Sequence, residues 1–179
     1  CGVLFVWRLL GMRGFGYGWV LLVLWPLLAE ADAGLEWQLL RYQGHWVGHL
    51  AIHTGSTGYR ETFAVEQRYW WEDGQLRCVA VSQRPQGSSR ARSCYRVQGD
   101  KIFSEVTYDS GVEHYWGMLH EDSIVWLSAD LRRAKDYQMK ETLSEAEGQA
   151  VLKVEGFDTY LTGAGLAQLV YQGELERVE

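Results

Sequence analysis

From Gly44 onward the chain is a ladder. Short segments rich in β-branched and aromatic residues alternate with tight polar turns. Glu72-Asp73-Gly74, Gly99-Asp100, Asp109-Ser110-Gly111 and His120-Glu121-Asp122 each stand between two such segments. That succession makes strands adjacent in sequence adjacent in space. A long meander exposes two hydrogen-bonding edges unless it closes on itself. The expected fold class is therefore all-β: an up-and-down antiparallel meander closed into a barrel of about eight to ten strands. Ten segments read as strands, over roughly 44–53, 59–71, 75–83, 91–98, 101–108, 112–119, 123–129, 135–143, 150–157 and 168–177. Only 34–43 and 158–167 read as helical or irregular. No Pro/Gly/Ser-rich linker and no fixed-period repeat divides 34–179, so one domain is expected there.

The first 33 residues have a different character. Arg13 precedes the apolar run Trp19-Val20-Leu21-Leu22-Val23-Leu24-Trp25, followed by Pro26, and Ala31-Asp32-Ala33 supplies small residues before Gly34. This pattern reads as a secretory signal peptide cleaved before Gly34, because the apolar run falls short of the ~20 residues of a membrane span. Met12 is the natural initiator, so a mis-called start upstream of it is expected. Secretion or a periplasmic location follows as an expectation. The chain's net charge is −6. Such a balance argues against a general nucleic-acid partner. Export would favour a disulfide between Cys78 and Cys94, with two free thiols as the alternative.

Turn length carries the inward face from strand to strand, since side chains alternate and paired residues share a face. A two-residue loop at Gly99-Asp100 pairs Val97 with Ile102. Three-residue loops at 109–111 and 120–122 pair Ser104 with Trp116, Val106 with His114 and Trp116 with Trp126. A three-residue loop at 72–74 pairs Tyr69 with Arg77 and Val65 with Val81. Phe63, Tyr95, Trp116 and Trp126 then face inward with Val79, Val81, Val112 and Met118, and Tyr137, Met139 and Leu143 continue the set. A symmetric hairpin around Pro85-Gln86-Gly87-Ser88 places Cys78 opposite Cys94 on the outer face, compatible with a bridge.

His45, His49 and His53 invite a metal reading. On a strand, however, four residues span about 13 Å, too far for two ligands of one ion with bonds of about 2 Å. No metal site is expected. His114 lies inside in this register. It is either a hydrogen-bonded core histidine, an orienting group for a ligand, or a haem ligand. Arg77 is either an inward cation for a ligand carboxylate or Glu141, or a solvated residue at the rim. The stretch 75–99 holds Arg77, Arg84, Arg90, Arg92 and Arg96 and no carboxylate. Such a hairpin could meet an anionic envelope surface or acidic partner, or simply guard a sheet against pairing. No nucleophile elbow, zinc-protease motif or phosphate loop is present in the sequence, so no catalytic residues are assigned.

Gly44-His45-Trp46 opens the first strand. A Gly-x-Trp at that place, behind a signal-like segment and ahead of a meander, resembles the lipocalins and the wider calycin superfamily. The resemblance implies that Trp46 closes one barrel end and that Arg177 packs over it. The Thr-Asp-Tyr-like turn of the second lipocalin motif has no match. Ten strands resemble the fatty-acid-binding branch, but Thr54-Gly55-Ser56-Thr57-Gly58 is too short for that branch's helical lid, and those proteins are cytosolic. Bacterial lipocalin-like domains and bilin-lyase relatives are similar to the same degree. The implied function is binding of a small apolar or amphipathic molecule, with Phe63, Arg77, Tyr95, His114, Trp116, Trp126, Tyr137 and Met139 as the expected lining. Two alternatives stand beside it: an interaction module acting through the 75–99 hairpin, and a lyase or isomerase working in the cavity.

Overall fold

The structure is a computed structural model that describes residues 34–55, 58–133, 135–162 and 165–179. The expected signal peptide and the Met12 start lie outside the described residues. A short helix, α1 (34–40), precedes ten strands: β1 (Gly44–Thr54), β2 (Arg60–Glu72), β3 (Gln75–Arg84), β4 (Gly87–Gln98), β5 (Lys101–Tyr108), β6 (Gly111–His120), β7 (Ser123–Ser128), β8 (Tyr137–Ala146), β9 (Gln149–Thr162) and β10 (Gly165–Arg177). Each strand pairs with its sequence neighbour, and β10 pairs with β1, so the sheet is a closed antiparallel barrel. Closure leaves no unpaired edge among the described strands to recruit another chain. Strand structure also covers most of 158–167, where an irregular segment was expected.

The register corrects three turn lengths. Asp73-Gly74 alone forms the β2–β3 turn, with φ of 52° and 73°, so Tyr69 pairs with Cys78 and Val65 with Ser82. Positive φ at both central residues is the geometry that an Asp-Gly dipeptide selects in a hairpin. The inward residues of β3 are consequently Leu76, Cys78, Ala80 and Ser82, while Arg77, Val79 and Val81 face out. The β5–β6 turn is Asp109-Ser110, which pairs Ser104 with Tyr115 and sends Val112, His114, Trp116 and Met118 outward. The β6–β7 turn is Glu121-Asp122, pairing Gly117 with Trp126. These last two one-residue differences cancel, so Ile124 and Trp126 face inward as expected. The Gly99-Asp100 register stands as expected, with Val97 opposite Ile102.

The two cysteines do not bridge. Arg77, not Cys78, lies opposite Cys94, and Cys78 pairs with Ser93. Cys78 is therefore buried inside while Cys94 sits on the outer face, and both are free thiols.

The interior is filled at one end and hollow at the other. Turns 73–74, 99–100, 121–122 and 147–148 and α1 gather at the first end. There Leu39, Trp46, Leu76, Ile102, Ile124, Leu152 and Leu175 are almost wholly buried. Leu35, Leu39 and Tyr42 join that core, so α1 caps the closed end. Trp46 is 0% exposed; its Nε1 donates to the Tyr42 carbonyl at 2.7 Å, and the Arg177 guanidinium lies 4.6 Å from its ring.

Candidate ligand-binding site

Toward the other end the inward positions change in size. On β3 and β4 they become Ala80, Ser82, Ser89 and Ala91, which pair as Ala80 with Ala91 and Ser82 with Ser89. Facing this small-residue wall are five tyrosines, Tyr108, Tyr115, Tyr137, Tyr160 and Tyr171, from five different strands. Between the two walls lies a cavity of about 440 Å³, which Met139, Glu113 and Asp158 also line. Close packing leaves so large a void only where side chains are missing. The volume falls within the range of small-molecule pockets.

The mouth of the cavity carries two anchored cations. Arg133, from the β7–β8 connection, donates to both Asp158 oxygens at 2.8 and 3.1 Å and to Glu113 at 3.3 Å. The Tyr115 hydroxyl donates to the second oxygen of Glu113. Asp158 is an inward β9 residue whose side chain is only 8% exposed, so this cation answers a desolvated carboxylate. Arg84, at the inward end of β3, stacks over Phe63 at 4.3 Å and reaches Glu61 only at 3.9 Å. Its planar fork therefore retains donors toward the cavity. Burial pushes the hydroxyls of Tyr115, Tyr137, Tyr160 and Tyr171 above their ordinary pKa, so they remain protonated donors at neutral pH.

Below the cavity is a buried polar step. Glu141 faces inward beside Ile124, and Trp126 Nε1 donates to it at 2.9 Å. The Tyr42 hydroxyl approaches the same carboxyl closely enough to favour its charged form but falls short of hydrogen-bonding geometry. Burial outweighs both donors and raises the Glu141 pKa. Tyr42, Tyr69, Tyr95 and Trp126 form a run of aromatic contacts, with centroid separations of 5.7, 6.2 and 5.5 Å, across this level. Tyr95 and Trp126 thus lie in the layer below the hollow.

Of the eight expected lining residues, Tyr137 and Met139 border the cavity. Phe63 is buried beneath Arg84, and Tyr95 and Trp126 sit lower. Three expectations are overturned, each by the one-residue turn difference. His114 is an exposed outer-face residue, 3.2 Å from Glu105 and stacked on Phe103, so it cannot orient an interior ligand or bind an interior haem. Trp116 also faces out, edge-on to Phe103 at 5.1 Å. Arg77 points outward and pairs with Glu72 at 2.7 Å, the rim alternative of the sequence reading. His45 contacts Glu66 at 2.9 Å on the outer face. The arginines of 75–99 serve different local partners: Arg84 turns inward over Phe63, and Arg96 lies 4.5 Å from the Phe103 ring on the outer face.

Residues the sequence reading missed are Ala80, Ser82, Ser89, Ala91, Tyr115, Tyr160, Tyr171, Arg84 and Arg133. The Asp73-Gly74 dipeptide carried the signal for the small-residue wall, since a two-residue turn there turns Ala80 and Ser82 inward. No protein-family model matches the chain, and no curated protein is significantly similar to it.

Proposed function

We propose that this chain is an exported, lipocalin-like barrel of the calycin kind that carries or senses one small amphipathic molecule. The carrying observation is the hollow between Ala80, Ser82, Ser89 and Ala91 on one side and the tyrosines on the other. A flat apolar body fits such a slot, because aromatic faces supply contact area and buried hydroxyls supply a few directed hydrogen bonds. Arg84, which lines the cavity, offers its guanidinium to an acidic group on the ligand. Trp46 under Arg177, at the start of β1 and end of β10, agrees with the Gly-x-Trp resemblance.

The test is titration of intrinsic tryptophan fluorescence with flat aromatic acids and fatty acids, alongside mass spectrometry of molecules that co-purify. Saturable quenching that Ala91→Trp abolishes supports the reading. Absence of any saturable ligand and of any co-purifying molecule sinks it.

A second reading draws on the outer face. Arg96, Phe103 and Trp116 form a contiguous cation–aromatic cluster there. With Arg92 on the same outer face of β4, it would suit an acidic protein partner. Arg92→Glu with Arg96→Glu, neither of which lines the cavity, should then abolish partner capture while leaving ligand titration intact. Capture that survives the double substitution removes this reading.

A further inference from the structure

The charge of this protein is distributed along the barrel axis. The segments at the closed end (34–45, 70–77, 96–102, 118–125, 143–151 and 174–179) hold eleven acidic and five basic residues. Those at the mouth (54–61, 84–90, 108–113, 128–137 and 158–167) hold six of each. The acidic surplus at the closed end thus equals the whole net charge of −6. At the mouth, moreover, Glu113 and Asp158 are engaged by Arg133, and Glu61 lies inside beside Arg84. Arg60, Arg90 and Lys135 are exposed around the opening beside Asp109, while Arg132 is paired with Asp130 at 2.8 Å.

Large apolar side chains are exposed among those cations. Leu131, in the β7–β8 connection, is 90% exposed, and Leu166, opening β10, is 74% exposed. Val112 adds to them from β6. The closed end also exposes Trp37 and Leu119, but it sets them among its carboxylates. Apolar tips interleaved with cations suit the headgroup region of a bilayer, and an acidic pole is repelled by an anionic one.

We propose that the barrel docks mouth-first on a bilayer containing anionic lipid, with Leu131 and Leu166 inserted at the interface. The ligand cavity then opens directly onto the lipid from which an amphipathic molecule is loaded or to which it is delivered. This rests on the ligand-binding reading, yet the two can fail separately. The docking surface uses Leu131 and Leu166, neither of which lines the cavity.

Hydrogen–deuterium exchange of the full chain tests it with two kinds of vesicle, phosphatidylcholine alone and phosphatidylcholine mixed with phosphatidylglycerol. The expected result is protection of 129–133 and 165–167 with the mixed vesicles only, and none at 118–125. Leu131→Glu with Leu166→Glu should weaken partitioning by about tenfold or more, the factor expected when a well-inserted leucine is lost. The same variant should leave ligand titration in vesicle-free solution unchanged. Protection confined to the closed-end turns, equal protection with both vesicles, or unaltered partitioning of the variant would each overturn the docking proposal. Loss of the solution titration with wild-type protein would instead count against the ligand-binding reading.

Discussion

The Arg177 guanidinium lies 4.6 Å from the centre of the Trp46 ring, across the pairing that joins the last strand to the first. The same arginine donates to the Arg41 carbonyl, tying β10 to the residue that follows α1. Removing the wholly buried indole with Trp46→Ala should cost about 3–5 kcal/mol. Arg177→Ala should cost about 1 kcal/mol through the lost cation–aromatic contact. Urea denaturation of both single variants and the double variant measures the coupling. A coupling near zero would remove the contact from the account of stability.

Gly117 makes room for Trp126. A methyl group built there would sit 2.5 Å from the indole ring. Gly117→Ala should destabilise by about 1–3 kcal/mol, because the ring must shift in a packed core. The shift would also strain the Trp126 bond to Glu141. A blue- or red-shifted tryptophan emission together with a lower urea midpoint is expected; an unchanged midpoint contradicts the packing described.

Glu141 reverses the usual acid sensitivity of a carboxylate. Burial raises its pKa in the folded protein above the unfolded value of about 4.3. Its contribution to stability is therefore complete below the unfolded value and is lost as pH rises through the folded one. Glu141→Gln keeps an oxygen for Trp126 Nε1 and abolishes the titration. The variant should gain stability relative to wild type as pH rises toward neutrality, with little difference near pH ~4. Urea midpoints across that range give the comparison. A constant difference at every pH would show that Glu141 does not titrate as argued.

The cysteines should differ in reactivity. Burial pushes the Cys78 thiol up to about 12, whereas Cys94, on the outer face, is partly accessible and donates to Gln75 at 2.6 Å. The thiolate is the reactive species. Alkylation of native protein followed by peptide mapping should modify Cys94 well before Cys78, with no Cys78–Cys94 linked peptide. Recovery of that linked peptide would contradict the register of β3 and β4.

Arg133→Ala should loosen the mouth. It leaves Asp158 desolvated with its main cation removed. The expected cost is about 1–2 kcal/mol, below that of a fully buried pair because Arg133 is a third exposed. Exchange of 129–136 amides should accelerate more than exchange in β2. Uniform acceleration would mean that the effect is global rather than local.

Much of the barrel is legible in the sequence because alternation and turn chemistry are local signals. Each hairpin announces itself through an Asp, Gly or Ser cluster between apolar segments, and Gly99-Asp100 even sets its register. The cavity is far less legible, since it depends on parity, and one extra turn residue exchanges the two faces of a strand. On β3 both choices looked apolar: Val79 and Val81 against Leu76, Cys78 and Ala80. On β6 the competition was between Trp116 and Tyr115, two aromatics one residue apart. Hydrophobicity could not arbitrate where the outer face carries its own aromatic cluster of Phe103 and Trp116. Arg133 lay beyond such reasoning altogether, because its partners Glu113 and Asp158 come from β6 and β9 and meet only through the closed topology.

Nine of the ten strand pairings are simple hairpins, and only the β1–β10 pairing joins distant parts of the chain. Hairpins can form early, with little loop entropy to overcome, whereas the terminal pairing must wait until the intervening sheet has brought its ends together. The seam is then the last part to zip and the first to part. Substitutions along it, Trp46→Ala among them, should act mainly by hastening unfolding and leave the folding rate nearly unchanged, a division that stopped-flow kinetics resolves.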